Sequence, residues 1–315
     1  MISRIIGEMS MELEFHCVDA FSDVPHQGAP ILVFPRAEGL AEAQMYRIVR
    51  EFGYDNTVFM RRDGVAPHWH LHLFDQDANL QPFVGHSTVA AAAVVIHAGL
   101  VPTVEGETAF SFSLPIGEFD LRVYCEGGHV VCSTFRTQCD HAVDDYSPSL
   151  IDIAAVLGLP NSELIGMPGH KPLSLLGPLS YFIVPLRDPV TLQQARFDRA
   201  AWIRSATATL PSQVLAIAPA GTTPDGTPRI KARLFGLNIH AEEDPPIGSA
   251  MPALASFLSL SNSMNPLRFV ALRGMGHERL STLQVRARPC GPTALKVSVG
   301  GAVTSVARGH MTCDL

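Results

Sequence analysis

Two runs of small apolar residues stand out in the hydrophobic pattern, and each follows a short segment that contains glycine. Residues 82–88 lead into the alanine-rich run 89–96, and residues 243–250 lead into the run 251–258. Alanine-rich runs of this length favour helix. Each segment is therefore predicted to lie at a helix N-terminus. The two segments are about half a chain apart, which suggests one site built from two similar halves.

A helix N-terminus suits the binding of negative charge. Its first backbone N–H groups have no partner within the helix, and the helix dipole is positive at this end. Two facing helix starts would therefore hold a carboxylate or a developing oxyanion. The alternative is that the segments only cap their helices, with Ser87 or Asp244 as an ordinary N-terminal residue. The duplication favours the functional interpretation.

The rest of the pattern predicts two halves of similar plan, each with strands, one central helix and further strands. Helices are also predicted at 40–52 and 149–157. At 315 residues the chain is long enough for two domains, which we predict at 1–140 and 149–315, with terminal strands free to return to the first. The predicted strands, mainly antiparallel, are 14–20, 31–34, 57–60, 68–74, 108–114, 120–125, 129–135, 180–185, 213–218, 229–235, 283–286 and 295–299.

Composition argues against several classes of protein. A hydrophobic fraction of 47% and a charged fraction of 17% are typical of a folded chain. A formal charge of −7 without a basic stripe argues against a nucleic-acid binder. The longest apolar run is shorter than the ~20 residues of a membrane span. Residues 1–9 lack the long apolar region of a secretory signal. We therefore expect a cytoplasmic protein without membrane or nucleic-acid partners.

Cysteines and histidines give little support for a metal site, and we predict none. The six cysteines form no Cys-x-x-Cys pair and suit a reducing compartment. Cys290 is expected to be a buried, inert thiol. His68, His70 and His72 lie on one face of a predicted strand. They span about 13 Å, which is too long for all three to bind one ion.

Four segments resemble motifs of the PhzF family of phenazine-biosynthesis-like isomerases, and the resemblance runs nearly end to end. Residues 18–30 resemble the opening motifs Val-Asp-x-Phe-x-x-x-Pro and Gly-Asn-Pro, with Ala29 in place of the asparagine. Residues 51–59 resemble Glu-x-Asn-x-Ser-Glu-Thr-x-Phe, and residues 85–88 resemble Gly-His-x-Thr. The most specific match is that of residues 243–250 to Glu-Asp-Pro-x-Thr-Gly-Ser-Ala.

The resemblance implies both a fold and an activity. The implied fold is α+β, with two similar domains that each wrap a strongly bent, mainly antiparallel sheet around a central helix, as in diaminopimelate epimerase. The implied activity is that of a cofactor-free isomerase, and we expect a homodimer. Its expected substrate is a small anionic or polyunsaturated intermediate of secondary metabolism, held in the interdomain cleft.

The resemblance also assigns the site residues. His86 is the implied proton donor or acceptor, with Asp244 as its carboxylate partner. Replacement of either by alanine is expected to cut turnover and to leave the fold intact. The family's catalytic glutamate is replaced by Asn56, and a carboxamide cannot act as a general base. The implied substrate-binding residues are Gly85, Ser87, Gly248, Ser249 and Asp19.

Asn56 leaves the reaction open. An isomerase could move protons with His86 and Asp244 alone. A cyclase or pericyclase could instead use Asn56 as a hydrogen-bond donor to a carbonyl, without a strong base. A binding protein could have kept the pocket and lost the chemistry. Asp55 is a further candidate base, but neighbours in an extended segment point to opposite faces.

Overall fold

A computed structural model describes residues 10–62, 64, 67–144, 146–164, 166–204, 210–237, 239, 244–260, 266–274 and 279–314. Residues 1–9 and Glu243, on which two of the predictions rest, lie outside these ranges. Two compact units divide the described chain. The first contains residues 10–26, 30–133 and 302–314, and the second contains residues 27–29 and 134–301. None of the helices in the described ranges is long and apolar enough to cross a membrane.

In the described chain, helices lie between runs of strands, with short 3₁₀ turns at Asn161–Leu164 and Gly248–Ala250. In chain order they are β1 (Ser10–Ala20), β2 (Ala29–Phe34), α1 (Glu42–Phe52), β3 (Asn56–Arg62), β4 (His68–Asp75), β5 (Leu80–Gln81), α2 (Gly85–His97), β6 (Gly106–Leu114), β7 (Gly117–Glu126), β8 (His129–Cys139), β9 (Ala142–Asp144), α3 (Leu150–Leu157), β10 (Leu173–Leu176), β11 (Tyr181–Pro185), α4 (Pro189–Gln194), α5 (Arg199–Arg204), β12 (Gln213–Thr222), β13 (Pro228–Gly236), α6 (Met251–Leu260), β14 (Leu267–Arg273), β15 (Ser281–Pro289), β16 (Leu295–Gly301) and β17 (Val303–Asp314).

The strand order of the first unit explains where its helices lie. Strands β2 and β3 are parallel, β3 and β4 are antiparallel, β4 and β6 are parallel, and β6 and β7 are antiparallel. A parallel pair needs a crossover, which α1 supplies between β2 and β3 and α2 supplies between β4 and β6. The last strand, β17, pairs antiparallel with β1 along its whole length.

The second unit repeats this order. Strands β11 and β12 are parallel, β12 and β13 are antiparallel, β13 and β14 are parallel, and β14 and β15 are antiparallel. Helices α4 and α5 lie in the first crossover and α6 lies in the second. Helices α2 and α6 therefore occupy equivalent crossovers. The mainly antiparallel α+β fold is confirmed, with four parallel pairs that the sequence did not predict.

Both crossover helices are enclosed by their own unit. Every residue of α2 from Gly85 to Ile96 is buried, and so is α6 from Met251 to Leu258. Helix α2 packs against β1, β3 and β7, and α6 packs against β11, β15 and β16. A helix that is apolar all round is stable only inside a core. The small alanine side chains among these buried residues let the strands approach closely, which explains the composition of the two runs.

Candidate active site

The first helix start places three of the predicted residues in one turn. Gly85, His86 and Ser87 are the first residues of α2, after an extended N-cap at Val84. The Val84 carbonyl accepts the Thr88 N–H at 3.0 Å and the Thr88 hydroxyl at 2.9 Å. Within the described chain, no side chain caps this helix. The interpretation of Ser87 as an ordinary cap is therefore wrong.

These first-turn side chains are deeply buried. His86 is 5% exposed and Ser87 is 1% exposed. The Ser87 hydroxyl has no hydrogen-bond partner among the residues that the structure describes. A buried hydroxyl without a partner costs about 1–3 kcal/mol. Such a group is expected where a bound molecule supplies the missing hydrogen bond, and so the turn has the chemistry of a polar binding site.

Asn56 and Asp19 lie on two of the strands that pack against α2. Asn56 is the half-buried first residue of β3, whereas Asp55 is exposed in the preceding bend. Asp19 is 2% exposed on β1, and its Oδ2 accepts the backbone N–H of His26 at 2.7 Å. His26 has a left-handed backbone with φ 66°, which is unusual for a residue with a side chain. Asp19 therefore holds a turn, and its role in substrate binding stays a prediction.

The second helix start has a different local geometry. Gly248 and Ser249 lie in the 3₁₀ turn that leads into α6, with Ile247 at the N-cap. The Ala250 N–H donates to the Ile247 carbonyl at 3.0 Å. No side-chain cap is present in the described part of this turn. Asp244 lies further upstream, and so the interpretation of Asp244 as an ordinary cap is wrong as well.

Asp244 instead lies between two arginines. Its Oδ1 is 3.8 Å from Nε of Arg233 on β13, and its Oδ2 is 3.7 Å from Nε of Arg273 at the end of β14. All three side chains are buried, with exposures of 3% for Asp244, 6% for Arg233 and 10% for Arg273. The Arg273 Nε also donates to the Asp244 carbonyl at 2.7 Å. Charge compensation by two guanidinium groups stabilises the carboxylate as an anion.

The arginines connect Asp244 to the opening motif of the chain. The Arg273 Nη1 donates to the Arg279 carbonyl at 3.1 Å, and the Arg279 guanidinium donates to the carbonyls of Gly28 at 3.0 Å and Gln27 at 3.1 Å. The Gly28 N–H donates in turn to the Leu280 carbonyl at 2.7 Å. Two of the four recognised motifs thus share one hydrogen-bond network in the second unit. The sequence analysis missed these arginines.

The histidines and cysteines outside the helix starts have ordinary surroundings. His68 contacts the hydroxyl groups of Ser111 at 2.7 Å and Ser113 at 2.9 Å. No group of three or more potential metal ligands occurs among the described residues. All six cysteines are free thiols. Cys290 is exposed, and so its prediction as a buried thiol is wrong. It lies in the turn after β15, where its N–H donates to the Ala294 carbonyl at 2.9 Å.

Comparison with known proteins identifies the family. The family model described as "phenazine biosynthesis-like protein" matches residues 18–309. An uncharacterised isomerase of Pseudomonas aeruginosa is 28% identical over 310 residues, which cover 96% of this chain and 99% of that protein. The trans-2,3-dihydro-3-hydroxyanthranilate isomerase of Pseudomonas fluorescens is 35% identical over 75 residues, which cover 24% of this chain and 27% of that protein.

A solved structure agrees with this assignment at the level of the fold. The PhzF-family phenazine biosynthesis protein of Bacillus anthracis matches with a TM-score of 0.78 and 16% identity, over 96% of this chain and 99% of that chain. This chain and that protein therefore share the α+β fold. From the family match and the similarity to isomerases, the chain belongs to the phenazine biosynthesis-like (PhzF) family and is an isomerase.

Proposed function

We propose that this isomerase moves a proton on a small anionic or polyunsaturated metabolite, without a cofactor, and that His86 carries the proton. The observation that supports this most is the first turn of α2. There, a buried imidazole and a buried hydroxyl accompany the backbone N–H groups of a helix start. A proton carrier is thus combined with donors for the negative charge that develops when a proton leaves carbon.

The chemistry of the turn suits both halves of a proton transfer. An imidazole with an ordinary pKa near 6.5 can accept and return a proton close to neutral pH. Gly85 has no side chain, and so a substrate carboxylate or oxyanion can approach the backbone of the first turn closely. The Ser87 hydroxyl is a further donor at the same place. We propose the same binding role for Gly248 and Ser249 at the start of α6.

Asp244 has a positioning role in this proposal. Its carboxylate lies at salt-bridge distance from both Arg233 and Arg273. A carboxylate stabilised as an anion in this way is a poor proton donor near neutral pH. Asp244 instead holds the segment before Gly248 against β13 and β14, and thereby fixes the turn that begins α6. The expected role of Asp244 as the carboxylate partner of His86 stays a prediction.

One observation favours a second candidate function. Asn56 begins a strand that packs against α2, at the position where the related family motif has its catalytic glutamate. An amide at this place can polarise a carbonyl but cannot remove a proton from carbon. A cyclase or pericyclase would need only this polarisation together with a folded substrate. A binding protein without turnover is the third alternative, and it gives no reason for the buried His86.

A deuterium experiment separates these functions. The full-length protein is incubated in D₂O with trans-2,3-dihydro-3-hydroxyanthranilate, the substrate named for a relative, and with related dihydroaromatic carboxylic acids. Proton transfer through His86 is expected to place solvent deuterium on a product carbon, as observed by NMR. Turnover without deuterium would support the cyclase. Saturable binding without turnover of any of these acids would support the binding protein.

We also propose that the protein acts as a homodimer in the cytoplasm. The assembly can be tested by sedimentation velocity, in which a homodimer has twice the chain mass of 34.0 kDa. A species of single chain mass at micromolar concentration would contradict this part of the proposal.

A further inference from the structure

A cavity of about 780 Å³ lies within the second unit, and none of its lining residues belongs to the two helix starts. Its walls come from β9, β10, β14, β15 and β16 and from the C-terminal half of α6. Most of the lining side chains are apolar, such as Leu267 and Leu295. Cavities of this size and composition are typical of small-molecule sites.

Ser256 and His141 form a polar group in this apolar wall. The Ser256 hydroxyl is 3.1 Å from the Pro252 carbonyl and 3.0 Å from the His141 Nδ1. Since the carbonyl can only accept, the serine proton is directed to Pro252, and the His141 Nδ1–H donates to Ser256. Burial lowers the pKa of His141, with Asp140 opposing this effect, and so the ring is neutral at pH 7. Its Nε2 is then the nitrogen that can accept a hydrogen bond from a ligand.

The charge of the lining is one-sided. Asp140 is the only aspartate or glutamate among the described lining residues, which include no lysine or arginine. Two large apolar side chains of the lining are exposed, Val143 by 42% and Leu260 by 54%. These two side chains extend the apolar lining to the surface. The cavity thus offers apolar contact, one carboxylate and one neutral acceptor.

We propose that this cavity is a second small-molecule site, which binds a molecule with an apolar body and an amino or hydroxyl group directed at Asp140 and His141. An ammonium group would pair with the Asp140 carboxylate, and a hydroxyl or ammonium proton would reach the His141 Nε2. At Asp140, a carboxylate would instead meet a like charge. The site therefore selects against the anionic substrates proposed for the helix starts, and it does not depend on that proposal.

Two naphthalene probes of nearly equal size test this selectivity. Binding of 1-naphthylmethylamine and 1-naphthoic acid to the full-length protein is measured by calorimetry at pH 7 and low salt. The amine is expected to bind up to about fivefold more tightly than the acid, because an exposed carboxylate contributes up to about 1 kcal/mol. Asp140→Asn should reduce this preference to less than about twofold. Asp120→Asn, at an exposed aspartate of the first unit, is the matched control and should keep it.

A second variant tests the location. Thr293 is exposed in the cavity wall, and so Thr293→Trp can fill the cavity without disturbing the core. This variant should bind both probes at least about tenfold more weakly, with an unchanged melting temperature and unchanged isomerase turnover. Equal affinities of the two probes, or unchanged binding in Thr293→Trp, would overturn the proposal. Loss of the homodimer in Thr293→Trp, with no probe binding to the wild type, would show instead an interface between copies.

Discussion

The starts of α2 and α6 occupy equivalent crossovers in their units, but the side chains around them differ in charge. At the start of α2, the Val84 carbonyl accepts hydrogen bonds from Thr88. The buried first-turn side chains are an imidazole and a hydroxyl. Before α6, a carboxylate lies between two buried guanidinium groups. The duplicated fold thus supplies the same crossover twice, with a different backbone geometry at each helix start and different side chains around it. We infer that His86 transfers a proton at the start of α2, and that Asp244 positions the segment before α6 electrostatically.

The largest expected effect comes from breaking the charge compensation at Asp244. Asp244→Leu removes the carboxylate and leaves Arg233 and Arg273 buried without it. Loss of one partner from a buried ion pair costs about 3–5 kcal/mol of folding free energy, which thermal or urea unfolding can measure. The sequence analysis expected the fold to survive this removal, and the two arginines change that expectation.

The control for this variant is an exposed ion pair. Asp225 lies 3.3 Å from Arg268, and both side chains are more than half exposed. Asp225→Asn is expected to lower the free energy of unfolding much less than Asp244→Leu does, because solvent screens an exposed pair. Equal losses in Asp244→Leu and Asp225→Asn would remove the electrostatic distinction between the two helix starts.

The fold was predictable where the local pattern was strong. The alanine-rich runs gave α2 and α6, since their apolar character does not depend on distant partners. Strand β17 was not predicted, because polar residues interrupt its alternation and its stability comes from pairing with β1, almost 300 residues away. The start of helix α4 has a recognisable sequence signal, although the helix was not predicted. Asp188 caps it, and Pro189 is its first residue.

The site was predictable in part, for the same reason. Motif resemblance gave His86, Ser87 and Asp244, which lie in short contiguous segments. Arg233 and Arg273 were missed, because an arginine in a strand is typical of a solvent-facing position and its spacing from Asp244 has no period. Their contact with Asp244 depends on the parallel pairing of β13 and β14, which only the tertiary structure shows.

The next largest effect is expected at the first helix start. His86→Gln keeps the side-chain volume close to that of histidine but removes the group that can accept and return a proton. A positioned acid–base group contributes at least ~10²-fold to turnover, and this loss is expected in steady-state kinetics with the melting temperature nearly unchanged. The control is His97→Gln at the other end of α2, which should keep the turnover. Similar kinetics for both variants would assign His86 to the fold.

Variants of Asn56 test whether the site at the start of α2 removes a proton from the substrate or polarises a substrate carbonyl. If Asn56 is a hydrogen-bond donor, Asn56→Ala should cost about 1–3 kcal/mol of catalytic stabilisation. Asn56→Asp and Asn56→Glu should impair the reaction as well, because each replaces the donor with a partly buried acceptor. Kinetics on the native substrate measure all three variants.

Two results at Asn56 would change the interpretation of the first start. A marked gain of activity in Asn56→Glu would indicate a degenerate proton shuttle and eliminate the cyclase alternative. No change of turnover or ligand affinity in any of the three variants would place position 56 outside the site and contradict its alignment with the family's glutamate.

The smallest expected effect is that of replacing Ser87. The direction of the change in the free energy of unfolding shows whether this hydroxyl serves binding or the fold. Its hydroxyl is buried with no partner in the described chain, whereas the Ser256 hydroxyl of α6 contacts both His141 and the Pro252 carbonyl. Alanine is the better helix former, and it removes the unpaired hydroxyl. Ser87→Ala is therefore expected to raise the free energy of unfolding by about 1 kcal/mol and to lower turnover, as at sites that sacrifice stability for function.

Ser256→Ala should lower the free energy of unfolding by about 1 kcal/mol, because the His141 Nδ1 loses its partner. Thermal unfolding of both variants, with kinetics for Ser87→Ala, makes the comparison. A destabilised Ser87→Ala protein with full turnover would show that this hydroxyl serves the fold, and its assignment to substrate binding would be abandoned.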